Sequence, residues 1–166
     1  MVYADYWIAL QEGHLTYGTF EDYKSIINRH IKPSMKGLRM RDVLPDDITR
    51  MMKEVANFSK SVHDKTYMLA KQMFTNAYDN KLISENPCPK MHAGGRDPVE
   101  RQALTNEQMT TLIEAVKGTR AYVFCMIGLY SGLRREEILG LKWDCVRLTG
   151  TPSILVKRAC RFVHNR

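Results

Sequence analysis

The sequence predicts a mainly α protein in two units: a bundle of four to five helices, then a second helical unit that ends in a short β-hairpin. Three observations predict it. Apolar residues recur at three- and four-residue spacing along most of the chain. Several of these stretches open on a helix-start signal, either Thr or Ser followed three residues later by an acid or amide, or a Leu-Pro pair followed by acids. The periodicity fails once, over 88–103, where Pro89, Gly94, Gly95 and Pro98 stand among mixed charges. The bundle is therefore placed at 1–90, a linker at 91–103 and the second unit at 104–166.

Residues 2–11 form a weakly amphipathic helix with Val2, Tyr6, Ala9 and Leu10 on its apolar side. Thr19-Phe20-Glu21-Asp22 reads as a capping box. It opens a helix with Phe20, Tyr23, Ile26, Ile27 and Ile31 on one face, which Pro33 ends. Pro45 suits a first helical position, and Asp46 and Asp47 suit the positive end of the helix dipole, ahead of Ile48, Met51, Met52 and Val55. Ser61 caps a longer helix that buries Tyr67, Ala70, Met73 or Phe74, Ala77 and Tyr78, and Asn86-Pro87 stops it. In the second unit Thr105 to Gln108 is a further capping box before Met109, Leu112, Ile113 and Val116. Residues 120–130 are apolar nearly all round and predict a core helix, with Tyr122 and Tyr130 inside it. Ser131-Gly132 breaks it with a left-handed turn, and 133–141 is a short helix. Residues 153–159 and 161–163, β-branched or aromatic with interspersed Lys and Arg, predict the strands of the hairpin.

The bulk numbers narrow the function. Of 166 residues, 44% are hydrophobic and 26% charged, a globular composition. Lys and Arg total 25 against 18 Asp and Glu, a net charge of +7. That balance suits a polyanionic partner such as nucleic acid. The excess is concentrated late: residues 1–92 carry 13 basic and 11 acidic side chains, whereas 93–166 carry 12 and 7. The four cysteines form no CxxC pair and have no histidine at zinc-finger spacing, so they read as reduced thiols of a cytoplasmic protein with no metal site. The longest apolar run, 121–130, is shorter than the ~20 residues of a membrane span.

The informative stretch begins at Tyr130-Ser131-Gly132-Leu133-Arg134 and continues through Glu137-Ile138 and Leu141 to Trp143. An apolar helix runs into a glycine turn that aims the next helix start at solvent. Arg134 sits at that start, and Glu137, three residues on, lies beside it. Ile138 and Leu141 anchor the helix inward. The result is a guanidinium oriented by a carboxylate, and its planar fork of donors matches two phosphate oxygens. The same spacing also describes an ordinary solvated ion pair.

This string resembles the first catalytic-arginine box of the tyrosine recombinases, the phage integrase family. The rest of the chain resembles the same family in order. Tyr17 to Pro33, then Gly37-Leu38, Asp42-Val43 and Pro45 to Ile48, then Ser61, Thr66, Phe74, Ala77, Leu82-Ile83 and Asn86-Pro87, are similar to its core-binding domain. Ala103-Leu104-Thr105 and Glu107 resemble the opening of its catalytic domain. The resemblance implies a SAM-like core-binding bundle followed by the first part of a catalytic domain, the two clamping a DNA duplex. It implies a tyrosine nucleophile forming a 3′-phosphotyrosyl link, with no cofactor, and two arginines stabilising the phosphate as charge develops. Arg134 matches the first of these arginines and Glu137 the acid that orients it. The second arginine belongs to a His-x-x-Arg box, which His164-Asn165-Arg166 does not form, and the family's nucleophilic tyrosine lies farther along still. The chain is therefore expected not to cleave DNA by itself. Lys157 is a candidate for the family's hairpin lysine, although a lysine on a strand is more often a simple surface charge.

For the first unit, Lys65, Thr66 and Lys71 are placed on the helix opened by Ser61, away from its apolar stripe, and Lys24 and Arg29 on the polar face of the Thr19 helix. With Arg135, these are the candidate contacts to double-stranded DNA, which other recombinase protomers would share. His63 reads as a first-turn surface residue. Two rivals remain at this level. One is a non-catalytic helical DNA-binding module or truncated competitor of a recombinase. The other is a protein-interaction module, which would explain the ten methionines.

Overall fold

The computed structural model describes residues 2–90 and 94–160, and it is mainly helical with one small antiparallel hairpin. The chain divides into two compact units, Met1–Glu100 and Arg101–Arg166. The first contains α1 (Val2–Leu10), α2 (Tyr17–Ile26), a π-helical turn (Ile27–Ile31) leading into α3 (Lys32–Ser34), a 3-10 turn (Met40–Asp42), α4 (Pro45–Val55) and α5 (Lys60–Asp79).

Helices α2, α4 and α5 begin where a hydroxyl or carboxylate can take an otherwise unpaired N–H. Thr16 caps α2 by accepting from the Thr19 N–H, so this helix starts one turn before the box read at Thr19. Ser59, rather than Ser61, caps α5 by accepting from the Val62 N–H. In both cases two hydroxyl residues stand close together, and the earlier one is in extended backbone at the helix entrance. At α4 the Asp47 carboxylate accepts the Leu44 N–H at 3.0 Å, with Pro45 in the first turn as expected.

Pro33 does not end its helix. The Lys32 N–H reaches back five residues to the Ile27 carbonyl, a π turn placed just before proline, which has no N–H to give. The Ser34 hydroxyl donates to the His30 carbonyl at 2.9 Å, and the helix closes at Ser34.

The core of this unit is built around α5, whose His63, Thr66, Tyr67, Leu69, Ala70, Met73, Phe74 and Ala77 are buried. Against them pack Ile26, Ile27 and Ile31, Ile48 and Met51 of α4, and Ala4, Trp7 and Ile8 of α1. The α1 stripe thus runs through Trp7, and Tyr6 and Leu10, expected inside, are exposed. Tyr78 is likewise half-exposed. The Tyr3 hydroxyl donates to Asn76 at 2.7 Å and ties α1 to α5.

Part of the stretch read as a linker lies on this unit. Arg96 donates its N–H to the Phe58 carbonyl at 2.7 Å and accepts from the Lys60 N–H at 2.8 Å. Gly95, at φ +82°, passes so close that a Cβ there would stand 2.7 Å from the Lys60 Cα. This covers His63, which is buried beside Asp64 and is not the surface residue expected.

The second unit contains α6 (Asn106–Val116), α7 (Tyr122–Ser131), α8 (Arg135–Leu139), a 3-10 turn (Trp143–Cys145), β1 (Val146–Arg147) and β2 (Ser153–Ile154). The Thr105 box is present in both directions, Thr105 accepting from Gln108 N–H and Gln108 accepting from Thr105 N–H. Gly132 closes α7 in the left-handed conformation at φ 65°. α7 is not the core helix its composition predicts: Val123 and Tyr130 are exposed and no residue of it is fully buried. The cause is coverage, since α6 and α8 pack on α7 from limited directions and Cys145 is the buried apolar residue of this unit among the described residues. The hairpin also forms with a different partner. Ser153–Ile154 pairs antiparallel with the upstream Val146–Arg147, around Gly150 at φ +72°. Of the expected strands, 161–163 lies outside the described residues.

Candidate functional site

Gly132 and α8 set the site. After the left-handed turn, Arg134 is the extended N-cap of α8, at φ −69° and ψ 153°. The Glu137 carboxylate accepts the Arg134 backbone N–H at 2.8 Å through Oε2 and its guanidinium Nη1 at 3.2 Å through Oε1. A single acid therefore closes the helix start and steers the arginine. The backbone N–H of Arg134 does most to hold the Glu137 carboxyl below the usual glutamate range, and the guanidinium adds to it. The Arg134 side chain is 83% exposed while Glu137 is largely covered. The guanidinium is thus fixed at its root and open at its outer edge, a geometry that can receive an anion from solvent.

Arg135 lies next to this pair, forked on the Glu136 carboxylate at 2.7 and 3.2 Å. Lys157 falls beyond β2 and belongs to a different cluster. It stands with Lys142 and Arg158 around Asp144, whose carboxyl is lowered first by the Cys145 thiol and then by these cations. Arg158 reaches Asp144 at 3.9 Å. Among the described residues, no hydrogen bond or ion pair joins Lys157 to Arg134 or Glu137. The sequence reading missed this grouping. Its one visible signal is the run of basic residues without an acid after position 146, and its partner Asp144 is brought near only by the hairpin.

In the first unit the candidate residues divide. Arg29 is exposed in the π turn, and Lys24 is half-buried with its ammonium 5.9 Å from the Phe20 ring centre. Lys71 is exposed on α5 beside Gln72 and Thr75. Lys65 is paired with Asp22 of α2 at 2.5 Å. Thr66 corrects the sequence reading: it is fully buried, its hydroxyl donating to the Val62 carbonyl at 2.8 Å. The reason is phase. Thr66 lies one turn before Ala70 and is buried together with His63 and Leu69, so α5 buries a wider face than the stripe through Tyr67, Ala70 and Ala77 that was read.

Comparison with known proteins gives a consistent set of likenesses. Residues 2–56 match the family described as phage integrase, N-terminal SAM-like domain. The chain is 24% identical over 153 residues to an integrase of Streptomyces ambofaciens, covering 89% of this chain and 39% of that protein. It is 28% identical over 136 residues to a tyrosine recombinase XerC-like protein of Caldanaerobacter subterraneus subsp. tengcongensis, covering 75% of this chain and 34% of that one. The chain therefore spans well under half of the curated relatives it matches. Among solved structures, a lambda integrase tetramer bound to a Holliday junction superposes with a TM-score of 0.74 at 16% identity, covering 93% of this chain and 48% of that one. A lambda integrase dimer bound to a COC' core site gives 0.76 at 15% identity, over 93% and 47%. These structures share the fold.

Proposed function

We propose that this chain belongs to the tyrosine recombinase family, which the likenesses support, and that it is the part of a site-specific recombinase that grips duplex DNA and presents the first phosphate-binding arginine. The first unit supplies positioning contacts to the DNA backbone from Arg29, Lys24 and Lys71. The second supplies Arg134, oriented by Glu137, to a phosphate whose negative charge grows during strand exchange. The relatives named integrase and recombinase, and the lambda integrase dimer and tetramer bound to DNA, support double-stranded DNA and further protomers as partners.

One observation carries this reading: an exposed arginine at a helix start whose backbone N–H and guanidinium both donate to a single carboxylate. A solvated ion pair needs neither the backbone bond nor the glycine turn. The sequence holds no His-x-x-Arg box, so the chain supplies one of the two arginines the chemistry uses. The exposed apolar side chains of the second unit, Val123, Tyr130, Trp143 and Leu148 among them, favour a protein partner as a second reading.

Binding to random duplex DNA from low to high salt separates the two. Tight binding at low salt with a steep linear fall of log K against log salt is expected, and Arg134→Ala should flatten the slope by about 0.9, one phosphate contact. Supercoiled plasmid should stay uncut. Salt-independent or undetectable binding would leave only the protein-partner reading.

A further inference from the structure

We propose that Gly140 is a positioning residue for the Arg134–Glu137 pair, because the absence of a side chain there lets the backbone of 158–160 close over the far end of α8. The inference rests on the reading that Arg134 receives a DNA phosphate.

α8 has five residues, too few to hold a helix by itself. Its first turn is secured by Glu137. Its other end is secured by a chain segment from beyond the hairpin. The Glu136 carbonyl accepts the Gly140 N–H at 3.1 Å and also the Cys160 N–H at 2.7 Å. A Cβ on Gly140 would stand 2.8 Å from the Arg158 carbonyl oxygen, 3.1 Å from its carbon and 3.2 Å from the Cys160 nitrogen. All three are backbone atoms, which cannot rotate aside as a side-chain tip can. Gly140 itself has φ −85° and ψ −4°, open to any residue, so the requirement is close approach and not conformation.

The segment cannot simply shift outward either. Upstream it is fixed by the Leu155 N–H donating to the Cys145 carbonyl at 2.9 Å, which prolongs the hairpin, and by Arg158 at Asp144. A side chain at 140 must break the Cys160 bond or tilt α8. Arg134 lies six residues away, about 9 Å along the helix at 1.5 Å per residue, so a tilt at one end moves the guanidinium at the other.

The test is a double-mutant cycle on duplex-DNA affinity across a salt series, using the whole chain with Gly140→Val, Arg134→Ala and both together. Gly140→Val should lower affinity and flatten the salt slope by about 0.9, as Arg134→Ala does, and the double variant should be no weaker than either single one. The Arg134 Nε–H resonance should move in Gly140→Val as it does in Glu137→Gln. A Gly140→Val variant with wild-type slope and an unmoved Nε–H signal, or losses that add to those of Arg134→Ala, would overturn the inference. If Arg134→Ala itself leaves the slope unchanged, the phosphate reading fails first and takes this inference with it. Should Gly140→Val unfold the second unit, Cys160→Pro removes the donor to Glu136 with Gly140 intact, and the same slope and resonance decide.

Discussion

At the scale of single residues, the pair that matters most was readable because it is local. Arg134 and Glu137 are three apart in one short element, and their contact needs nothing but a helix start after a glycine. The pair also titrates in a defined direction. The Arg134 N–H and guanidinium favour the charged form of Glu137, so its folded midpoint lies below the ordinary value of about 4.3. The cap is therefore fully formed above that ordinary value and is lost as pH falls through the lowered folded midpoint. Carbon-detected NMR titration of the glutamate carboxyls should find the Glu137 midpoint below the ordinary glutamate value, and Arg134→Ala should raise it. A Glu137 midpoint at or above that ordinary value would contradict the bonded geometry.

Thr66 and Arg29 show where residue-level reading ends. Both were assigned to the polar side of a helix, and what separates them is a neighbouring helix the sequence does not display. Arg29 stays exposed in the π turn, whereas Thr66 is sealed under α5's neighbours. Arg29→Ala should therefore flatten the salt dependence of duplex binding by about 0.9 with little loss of stability. Thr66→Ala should do the reverse, lowering the thermal midpoint and leaving the slope alone. Parallel salt titrations and melts of the two variants check this, and a flattened slope for Thr66→Ala would mean that α5 turns this face outward on DNA.

At the scale of elements, most helices were legible, but the starts of α2 and α5 were not. Thr16 and Thr19, and Ser59 and Ser61, offer competing caps within one turn, and the choice depends on which residue is extended where the chain enters the bundle. The π turn before Pro33 was invisible because proline normally ends a helix, while here Ile27 and Ile31 on either side of Arg29 are both needed in the core. The hairpin was placed too late because β-branched composition marks 153–159, while the partner strand is only Val146–Arg147. α5 is the element on which the first unit depends. Phe74 is fully buried at its centre, so Phe74→Ala should cost about 3–5 kcal/mol, read as a fall in the urea midpoint of the first unit. A loss under about 1 kcal/mol would show that α5 is not the centre of this core.

At the scale of the whole molecule, the two units are built to different standards. The first holds Phe74, Ile27, Ile31, Met35, Ile48, Met51, Leu69 and Met73 fully out of water. In the second, among the described residues, no large apolar side chain is fully buried, and α7 keeps an uncovered apolar side. Composition could not reveal this, because an all-round apolar helix reads as core whether or not anything covers it. The difference has a dynamic consequence, since the free energy of local opening follows the apolar contacts that opening exposes. Amide hydrogen exchange of the chain in solution should therefore be slowest in α2 and α5 and much faster in α7 and α8. Duplex DNA should slow exchange at the amides of α8's first turn more than in α6, because a phosphate at Arg134 stabilises the helix start whose N–H groups lie behind it. Equal protection of α7 and α5 in the free chain would show that the second unit has a complete core of its own. DNA-induced protection confined to the first unit would remove Arg134 from the interface and leave the bundle as the whole DNA-binding surface.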